Sequence, residues 1–136
     1  PLENDLCDLL RQYGVAYDQV IVASFSDETL TRFQHACPEV ATSLPVNQGT
    51  ILYILSRVGL ERLLSLDAVV AQLPRSFSTK LGELELDRRY INAFAKGDRQ
   101  VWVWTVNDSI EMRRMVNMGV HGIITDRPGI LMDFVQ

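Results

Sequence analysis

Two histidines are the first candidates for chemistry, because general acid–base catalysis is most often carried out by an imidazole. His35 lies at the end of a predicted helix among polar neighbours, where we expect it to be solvated. His121 lies between Gly119 and Gly122, in the turn that enters the last predicted strand. Active sites of alternating α/β proteins form at the opposite, carboxyl ends of the strands. We therefore predict that neither histidine is catalytic.

Carboxylates at strand ends are the second candidates, because hard metal ions need clustered oxygen ligands. Asp126 precedes an Arg-Pro pair, and proline is favoured at the first helical position, so Asp126 is interpreted as a helix N-cap. Asp108 has Glu111 three residues later, which is typical of a capping box. The acids of "GELELD" alternate with leucine and indicate a solvated face. The sequence therefore predicts no metal ligand, and it contains neither of the glycine-rich phosphate loops GxGxxG and GxxxxGKS/T.

The chain contains apolar, β-branched runs separated by helical patterns. These predicted strands and helices must position any candidate site residues. Runs of this kind are typical of strands buried on both faces of a parallel sheet. Helical spacing precedes the first run and ends at Gly14, Ser26 can cap the next helix, and a last helix opens at Pro128. The predicted strands are "QVIVASF" (19–25), "VATSLP" (40–45), "DAVVAQLP" (67–74), "VWVWTVN" (101–107) and "GIITD" (122–126).

Strict alternation of helices and strands predicts an α/β protein with a parallel sheet and helical crossovers. No linker divides the chain, so residues 1–136 are expected to form a single domain. An open doubly wound sheet of the flavodoxin type needs about five strands. A closed (β/α)8 barrel needs eight strands and usually about 250 residues. Strand count alone favours the open sheet.

Composition limits the classes of partner. The net charge of −4 argues against nucleic-acid binding, which usually needs clustered basic residues. Charge or proline interrupts every apolar run before the roughly 18 residues of a membrane helix, and the acidic start does not resemble a signal peptide. Cys7 and Cys37 lack CxxC spacing and are interpreted as buried, unpaired thiols. A reducing, cytoplasmic setting follows as the expectation.

Three segments carry a resemblance to a known family: "VIVASFSDETLTRFQHACPEVATSLP", "VWVWTVND" and "MGVHGIITDRP". They resemble the second half of the glycerophosphodiester phosphodiesterases, in the order and at the spacing of that family. The resemblance implies a TIM barrel and overturns the strand count. By register, "QVIVASF" is similar to the fourth strand and "GIITD" to the eighth, so the chain is expected to be a partial barrel of about strands 4 to 8, with the first three strands absent.

The resemblance also implies a function that this chain cannot complete. The family hydrolyses glycerophosphodiesters, small-molecule substrates of lipid and glycerol metabolism, to glycerol 3-phosphate and an alcohol. It uses two histidines and a divalent metal, Mg²⁺ or Ca²⁺, held by carboxylates of the second and third strands. None of those segments is present here, so we expect no catalytic residue and no metal ligand in this chain. Taken alone, it is predicted to be inactive.

Residues of the pocket wall remain as candidates for substrate binding. Trp104 matches the tryptophan that the family has at the end of its seventh strand, where an indole can pack against the glycerol or the alcohol. Packing in the core is the alternative for Trp104 and the expected role of Trp102, although the two share one face of the strand. Phe25 and Gln72, each near a strand end, are further candidates.

Two other functions stay open. A non-catalytic half-barrel would leave two exposed sheet edges and is expected to self-associate or to bind a partner through them. An open-sheet nucleotide binder would need a phosphate loop that the sequence does not contain.

Overall fold

The computed structural model describes residues 2–14, 17–79 and 82–135. Helices and strands alternate along these ranges, with short 3-10 helices at Tyr17–Gln19 and Glu61–Leu63. The helices are α1 (Leu2–Gln12), α2 (Asp27–Ala36), α3 (Val46–Val58), α4 (Arg88–Phe94), α5 (Ser109–Met118) and α6 (Pro128–Val135). The strands are β1 (Ile21–Val22), β2 (Ala41–Thr42), β3 (Val70–Pro74), β4 (Ser76–Thr79), β5 (Gly82–Glu85), β6 (Gln100–Trp104) and β7 (Gly122–Ile123).

Each of the five predicted strands is present, and all run parallel. β1 pairs with β2, and β6 pairs with both β3 and β7. A parallel bridge between Ser43 and Val70 joins the two groups, with the Leu44 N–H donating to the Val70 carbonyl at 2.8 Å. The strands are therefore neighbours in the order β1-β2-β3-β6-β7, without the reversal that marks a doubly wound sheet. The prediction of an α/β protein with a parallel sheet is confirmed.

The core lies between this sheet and the helices. Val101 and Val103 of β6 are fully buried and pack in one cluster with Met112 and Met115 of α5. Because side chains alternate across a strand, Trp102 and Trp104 of β6 point to the face of the sheet opposite to the helix-side core. By register, that face also carries Gln72 and Pro74 of β3.

Helix caps fix where α2 and α5 begin. The Ser26 hydroxyl accepts a hydrogen bond from the Thr29 N–H, as the sequence predicts. The Asp108 carboxylate accepts the N–H groups of Ile110 and Glu111 at 2.9 and 3.0 Å. The Glu111 carboxylate does not complete a capping box in return. It lies 3.5 Å from the Arg75 guanidinium instead.

An antiparallel hairpin between β3 and α4 is absent from the sequence prediction. β4 pairs with β5 in the register Ser76–Glu85 and Phe77–Leu84, and the Leu86 N–H closes its base on the Arg75 carbonyl at 3.0 Å. Of the acids in "GELELD", Glu83 and Glu85 are exposed on β5, as an outward face requires, whereas Asp87 is half-buried beyond the strand as the N-cap of α4. The alternation of acids and leucines is therefore that of a strand paired in a hairpin, and the hairpin follows the carboxyl end of β3.

A disulfide joins α1 to the end of α2, so the prediction of two unpaired thiols is wrong. Cys7 and Cys37 have Cα atoms 5.6 Å apart and are bonded to one another. Glu3 and Arg11, each four residues from Cys7, form ion pairs from the same face of α1 to residues of α2 and of the loop after it. Thirty residues separate the two cysteines, and only the docking of α1 brings them together.

Because the two thiols are bonded to one another, they do not indicate a reducing compartment, and a cytoplasmic location stays a prediction. No helix in the described ranges is long and apolar enough to cross a membrane.

Candidate functional site

A cavity of about 600 Å³ opens at the carboxyl ends of the parallel strands. Side chains from the ends of β1, β2, β3 and β6, from the hairpin and from the start of α3 surround it. Its lining consists of Ala23, Ser24, Phe25, Ser43, Leu44, Pro45, Val46, Gly49, Thr50, Gln72, Leu73, Pro74, Phe77, Tyr90, Trp104, Thr105 and Ile124. The three predicted substrate-binding residues, Phe25, Gln72 and Trp104, all belong to this set.

Phe25 and Trp104 line the cavity and are in contact with one another. Phe25 follows β1 with 83% of its surface exposed, and its ring meets the Trp104 indole edge to face with centroids 5.8 Å apart. Just beyond Phe25, the Asp27 carboxylate accepts the N–H groups of Val46 and Asn47 at 2.7 and 2.9 Å. This carboxylate joins the start of α2 to the first turn of α3.

The face of the sheet opposite to the helix-side core carries Gln72 and both tryptophans. Gln72 lies opposite Trp102 in the register of β3 and β6, and the Gln72 N–H donates to the Ser43 hydroxyl at 3.3 Å. Trp102 does not pack in the helix-side core as expected. It lies on the same face as Trp104, lines a second cavity of about 390 Å³, and stacks closely on Gly122.

Side chains of the motifs "WTVN" and "ITD" are hydrogen bonded to one another. The Asn107 side-chain oxygen accepts from the Thr125 hydroxyl at 3.0 Å and from the Asp126 N–H at 2.9 Å. The Asn107 amide donates to the Asp126 carboxylate at 2.8 Å. Asp126 therefore bonds Asn107 across the two loops instead of taking the predicted N-cap role. This network holds the loop that follows Trp104.

An aromatic row supports the hairpin side of the cavity. Phe77 of β4 packs edge-on against Tyr53 of α3 at 5.9 Å, and Tyr53 in turn contacts Tyr90 of α4 at 5.7 Å. The Arg57 guanidinium lies 4.1 Å from the Tyr53 ring and forms an ion pair with Asp87, the N-cap of α4. The wall that carries Phe77 is therefore backed by packed rings and by an ion pair.

The titratable groups of this wall are held in fixed states. Burial raises the pKa of the Tyr90 phenol, so its hydroxyl stays protonated and donates to the Gly49 carbonyl at 3.3 Å. Burial alone would raise the pKa of Asp87, but hydrogen bonds from Arg57 and from the Tyr90 N–H outweigh it and lower that pKa. Tyr90 is thus a neutral donor, and Asp87 stays charged.

No residue with a charged side chain or an imidazole lines the cavity, within the ranges that the structure describes. His35 is exposed on α2. The His121 Nδ1 accepts the Val101 N–H at 3.2 Å, at the amino ends of β6 and β7, away from the cavity. Among the described residues of this wall, Tyr90 is the titratable one, and its raised pKa keeps it protonated, so the wall supplies no general base.

A divalent metal does not fit the described residues either. A hard cation needs several oxygen ligands, and the cavity offers no carboxylate. In the described ranges, one group of three possible ligands lies together: Cys7, Cys37 and Glu39. Its two sulfur atoms form the disulfide and its carboxylate is paired with Arg11. We derive no metal-dependent step from this chain.

The amino-acid sequence shows which protein family this chain belongs to. Residues 4–130 match the model of the glycerophosphoryl diester phosphodiesterase family, and the chain belongs to that family. Enzymes of the family are generally metal-dependent. The Bacillus subtilis (strain 168) protein YhdW, named as a glycerophosphodiester phosphodiesterase, is 26% identical over 132 residues. That match takes in 96% of this chain and 49% of YhdW, so the chain spans about half the length of this curated relative.

Solved structures show the same fold. The glycerophosphoryl diester phosphodiesterase domain of a Mycobacterium tuberculosis protein matches all of this chain and 56% of its own, with a TM-score of 0.79 at 13% identity. A structure from Silicibacter pomeroyi, titled as a glycerophosphoryl diester phosphodiesterase, matches 98% of this chain and 44% of its own, with a TM-score of 0.69 at 21% identity. An Oleispira antarctica phosphodiesterase, solved with the product sn-glycerol-3-phosphate, matches 85% of this chain and 41% of its own. Its TM-score is 0.58 at 16% identity. The fold of these neighbours is TIM-barrel-like.

Several residues of the site were missed by sequence reasoning. Phe77 lies on the unpredicted hairpin, and Tyr90 lies on α4, where no site residue was predicted. Asn107 ends the quoted motif "WTVN", and its polar side chain at a strand end was a signal that could have found it.

Proposed function

We propose that this chain is the carboxyl-terminal portion of a glycerophosphodiester phosphodiesterase barrel, with β1, β2, β3, β6 and β7 as strands 4 to 8 and residues 1–136 as a single domain. The complete enzyme hydrolyses a glycerophosphodiester to glycerol 3-phosphate and an alcohol. This chain supplies one wall of the pocket. The rest of the barrel supplies the acid, the base and the ligands of the Mg²⁺ or Ca²⁺ ion.

The observation that carries the proposal is a cavity at the carboxyl ends of the strands whose described lining is uncharged. Parallel barrels form their active sites at that face. A phosphodiester needs positive charge or a metal to stabilise the charge that develops during hydrolysis. Because the described lining holds neither a base nor a metal ligand, those groups would have to face this wall from the other strands.

Three side chains have assigned roles in this proposal. Trp104 and Phe25 present ring faces and edges to the carbon atoms of the substrate, since both line the cavity and contact one another edge to face. Gln72 is a neutral amide in the cavity lining and can hydrogen bond a hydroxyl group of the substrate. None of the three transfers a proton.

A fusion protein tests the proposal. The part of YhdW that precedes its match is joined to this chain, and glycerol 3-phosphate release from glycerophosphocholine is measured with Mg²⁺ and with Ca²⁺. We expect metal-dependent release that a chelator stops, and a raised KM for the fusion with Trp104→Ala. A fusion that folds by circular dichroism and cleaves no glycerophosphodiester would count against the function.

A second candidate function follows from the sheet edges. Among the described strands, β1 pairs on one side with β2, and β7 on one side with β6. Open edges of this kind can pair with another chain. In this alternative the chain is a non-catalytic half-barrel that self-associates or binds a partner. Sedimentation equilibrium distinguishes the two: a concentration-independent monomer excludes the self-associating form.

A further inference from the structure

We propose that the outward face of α3 is the contact surface of a homodimer, in which it packs against the same face of a second copy of this chain. The surface consists of Ile51, Ile54 and Val58 of α3 and of Leu60 and Leu63, which follow the helix directly. We call it the α3 face. None of its five residues lines either of the two cavities described above, so the inference goes beyond the proposed function and does not depend on it.

The spacing of Ile51, Ile54 and Val58 places them on one side of α3. They occupy positions i, i+3 and i+7, which form one stripe along a helix. Leu52 and Ser56 are buried on the opposite side of the helix. The stripe itself stays exposed, at 46%, 45% and 64% in chain order. α3 is therefore apolar toward the solvent as well as toward the protein.

α2 presents the kind of surface that a solvent-facing helix ordinarily has. Its exposed residues are all polar: Glu28, Thr31, Arg32 and His35. Surface helices normally keep such residues toward water, although single exposed apolar side chains are common. A contiguous apolar stripe is different, because it marks a surface that another molecule covers.

The turn after α3 enlarges the face. Gly59 adopts a left-handed conformation at φ 75°, and the Leu60 N–H donates to the Leu55 carbonyl at 3.0 Å, so the chain turns back beside the last turn of the helix. Leu60 and Leu63 are 47% and 76% exposed there. The five side chains of the α3 face together expose roughly 500 Å² per copy, so two copies would bury roughly 1,000 Å², which is about the area that a specific interface needs.

The charges beside the α3 face favour a second copy over a membrane surface. Arg57 and Glu61 are ion-paired with Asp87 and Lys96, respectively. Anionic lipids are recognised by clusters of about four to eight basic residues, and ion pairs of opposite sign do not form one. A twofold contact needs instead a patch that complements itself, and an uncharged stripe of aliphatic side chains does so.

Cross-linking at Ile54 tests the contact directly. In a twofold pair of antiparallel helices centred on the stripe, Ile54 lies near the axis and close to the same residue of the second copy. The full chain with Ile54→Cys is treated with a short bis-maleimide, with which Cys7 and Cys37 do not react because they are bonded to one another. We expect a covalent dimer on a denaturing gel, under conditions in which Ile110→Cys, at an exposed apolar position of α5, gives none.

A charge at the same position should separate the two copies. Ile54→Glu places two carboxylates against each other at the axis and is expected to weaken the dimer roughly a hundredfold in sedimentation equilibrium. Ile110→Glu adds the same charge to α5 and is expected to leave the dissociation constant unchanged. If Ile54→Glu does not fold by circular dichroism, Val58→Glu takes its place.

Three results would overturn the inference. The first is a wild-type chain that stays monomeric at every concentration. This includes a monomer that binds phosphatidylglycerol vesicles and loses the binding with Ile54→Glu, since the α3 face then contacts a membrane. The second is self-association that Ile54→Glu leaves unchanged, since the sheet edges then join the copies. The third is cross-linking of Ile110→Cys to the same extent as Ile54→Cys.

Discussion

The hydrogen bond from the Asn107 amide to the Asp126 carboxylate can be tested with one isosteric substitution. The substitution replaces this attraction with repulsion between two carboxylates. Asn107→Asp keeps the oxygen that accepts from Thr125 and from the Asp126 N–H, at 3.0 and 2.9 Å. It replaces the amide that donates to the Asp126 carboxylate at 2.8 Å with a second carboxylate oxygen. The variant therefore changes one contact between the loops that follow β6 and β7 and keeps the others.

The expected loss of stability in the Asn107→Asp variant has two parts. Losing a hydrogen bond to a charged acceptor costs about 1.5 kcal/mol at the low end of the usual range, which suits this exposed pair. Two unit charges at the 2.8 Å of the present contact repel by about 1.5 kcal/mol in water, and less once the groups turn apart. We expect a loss of about 2 to 3 kcal/mol in the free energy of unfolding at pH 7. That loss lowers Tm by roughly 10 °C for a domain of this size.

Urea unfolding followed by circular dichroism, at pH 7 and at pH 4, measures this loss. The loss should shrink at pH 4, because protonation of either carboxyl group of the variant removes the repulsion and restores a donor. Asn92→Asp, the same substitution at an exposed position of α4, is the control and should change stability by less than about 0.5 kcal/mol. An Asn107→Asp protein as stable as the control at pH 7, or a loss that does not depend on pH, would refute the reasoning.

Three further changes test the frame of the site by unfolding measurements. Replacing Cys7 and Cys37 with serine opens a loop of 30 residues and should lower the free energy of unfolding by roughly 3.6 kcal/mol, from the chain entropy of the open loop. If reductant does not change the stability of the protein, the bond does not form. Gly122→Ala should cost about 1 to 3 kcal/mol, because the new Cβ would lie 2.7 Å from the Trp102 ring, and Gly129→Ala, which meets open space, is its control. Asp27→Ala should cost about 1 kcal/mol, since it removes the carboxylate that caps α3; an unchanged unfolding midpoint would mean that this cap is not used.

Local patterns were enough to predict the parallel frame. The runs around β3 and β6 are apolar and β-branched, which favours strands buried on both faces, and Ser26 and Asp108 cap the helices that their positions indicated. The hairpin was missed because neither "SFST" nor "GELE" has the apolar content of the other strands. Each is identified as a strand only by pairing with the other.

Contacts between distant residues account for the remaining differences. Cys7 and Cys37 have no spacing that indicates a bond, and they meet because α1 packs on α2. Asp126 has the local sequence of a helix cap, but Asn107 on the preceding loop takes its carboxylate. Phe25, Gln72 and Trp104 were predicted near strand ends, and the structure brings all three to one cavity. Their contact with substrate stays a prediction.

The central claim is that this chain forms a pocket wall and does not carry the catalytic groups. Its most direct test is glycerol 3-phosphate release by the purified 136-residue chain, assayed on glycerophosphocholine with Mg²⁺ or Ca²⁺. We predict no release above that of buffer containing the metal alone. Release that a chelator abolishes, and that persists at constant specific activity through purification, would contradict the claim.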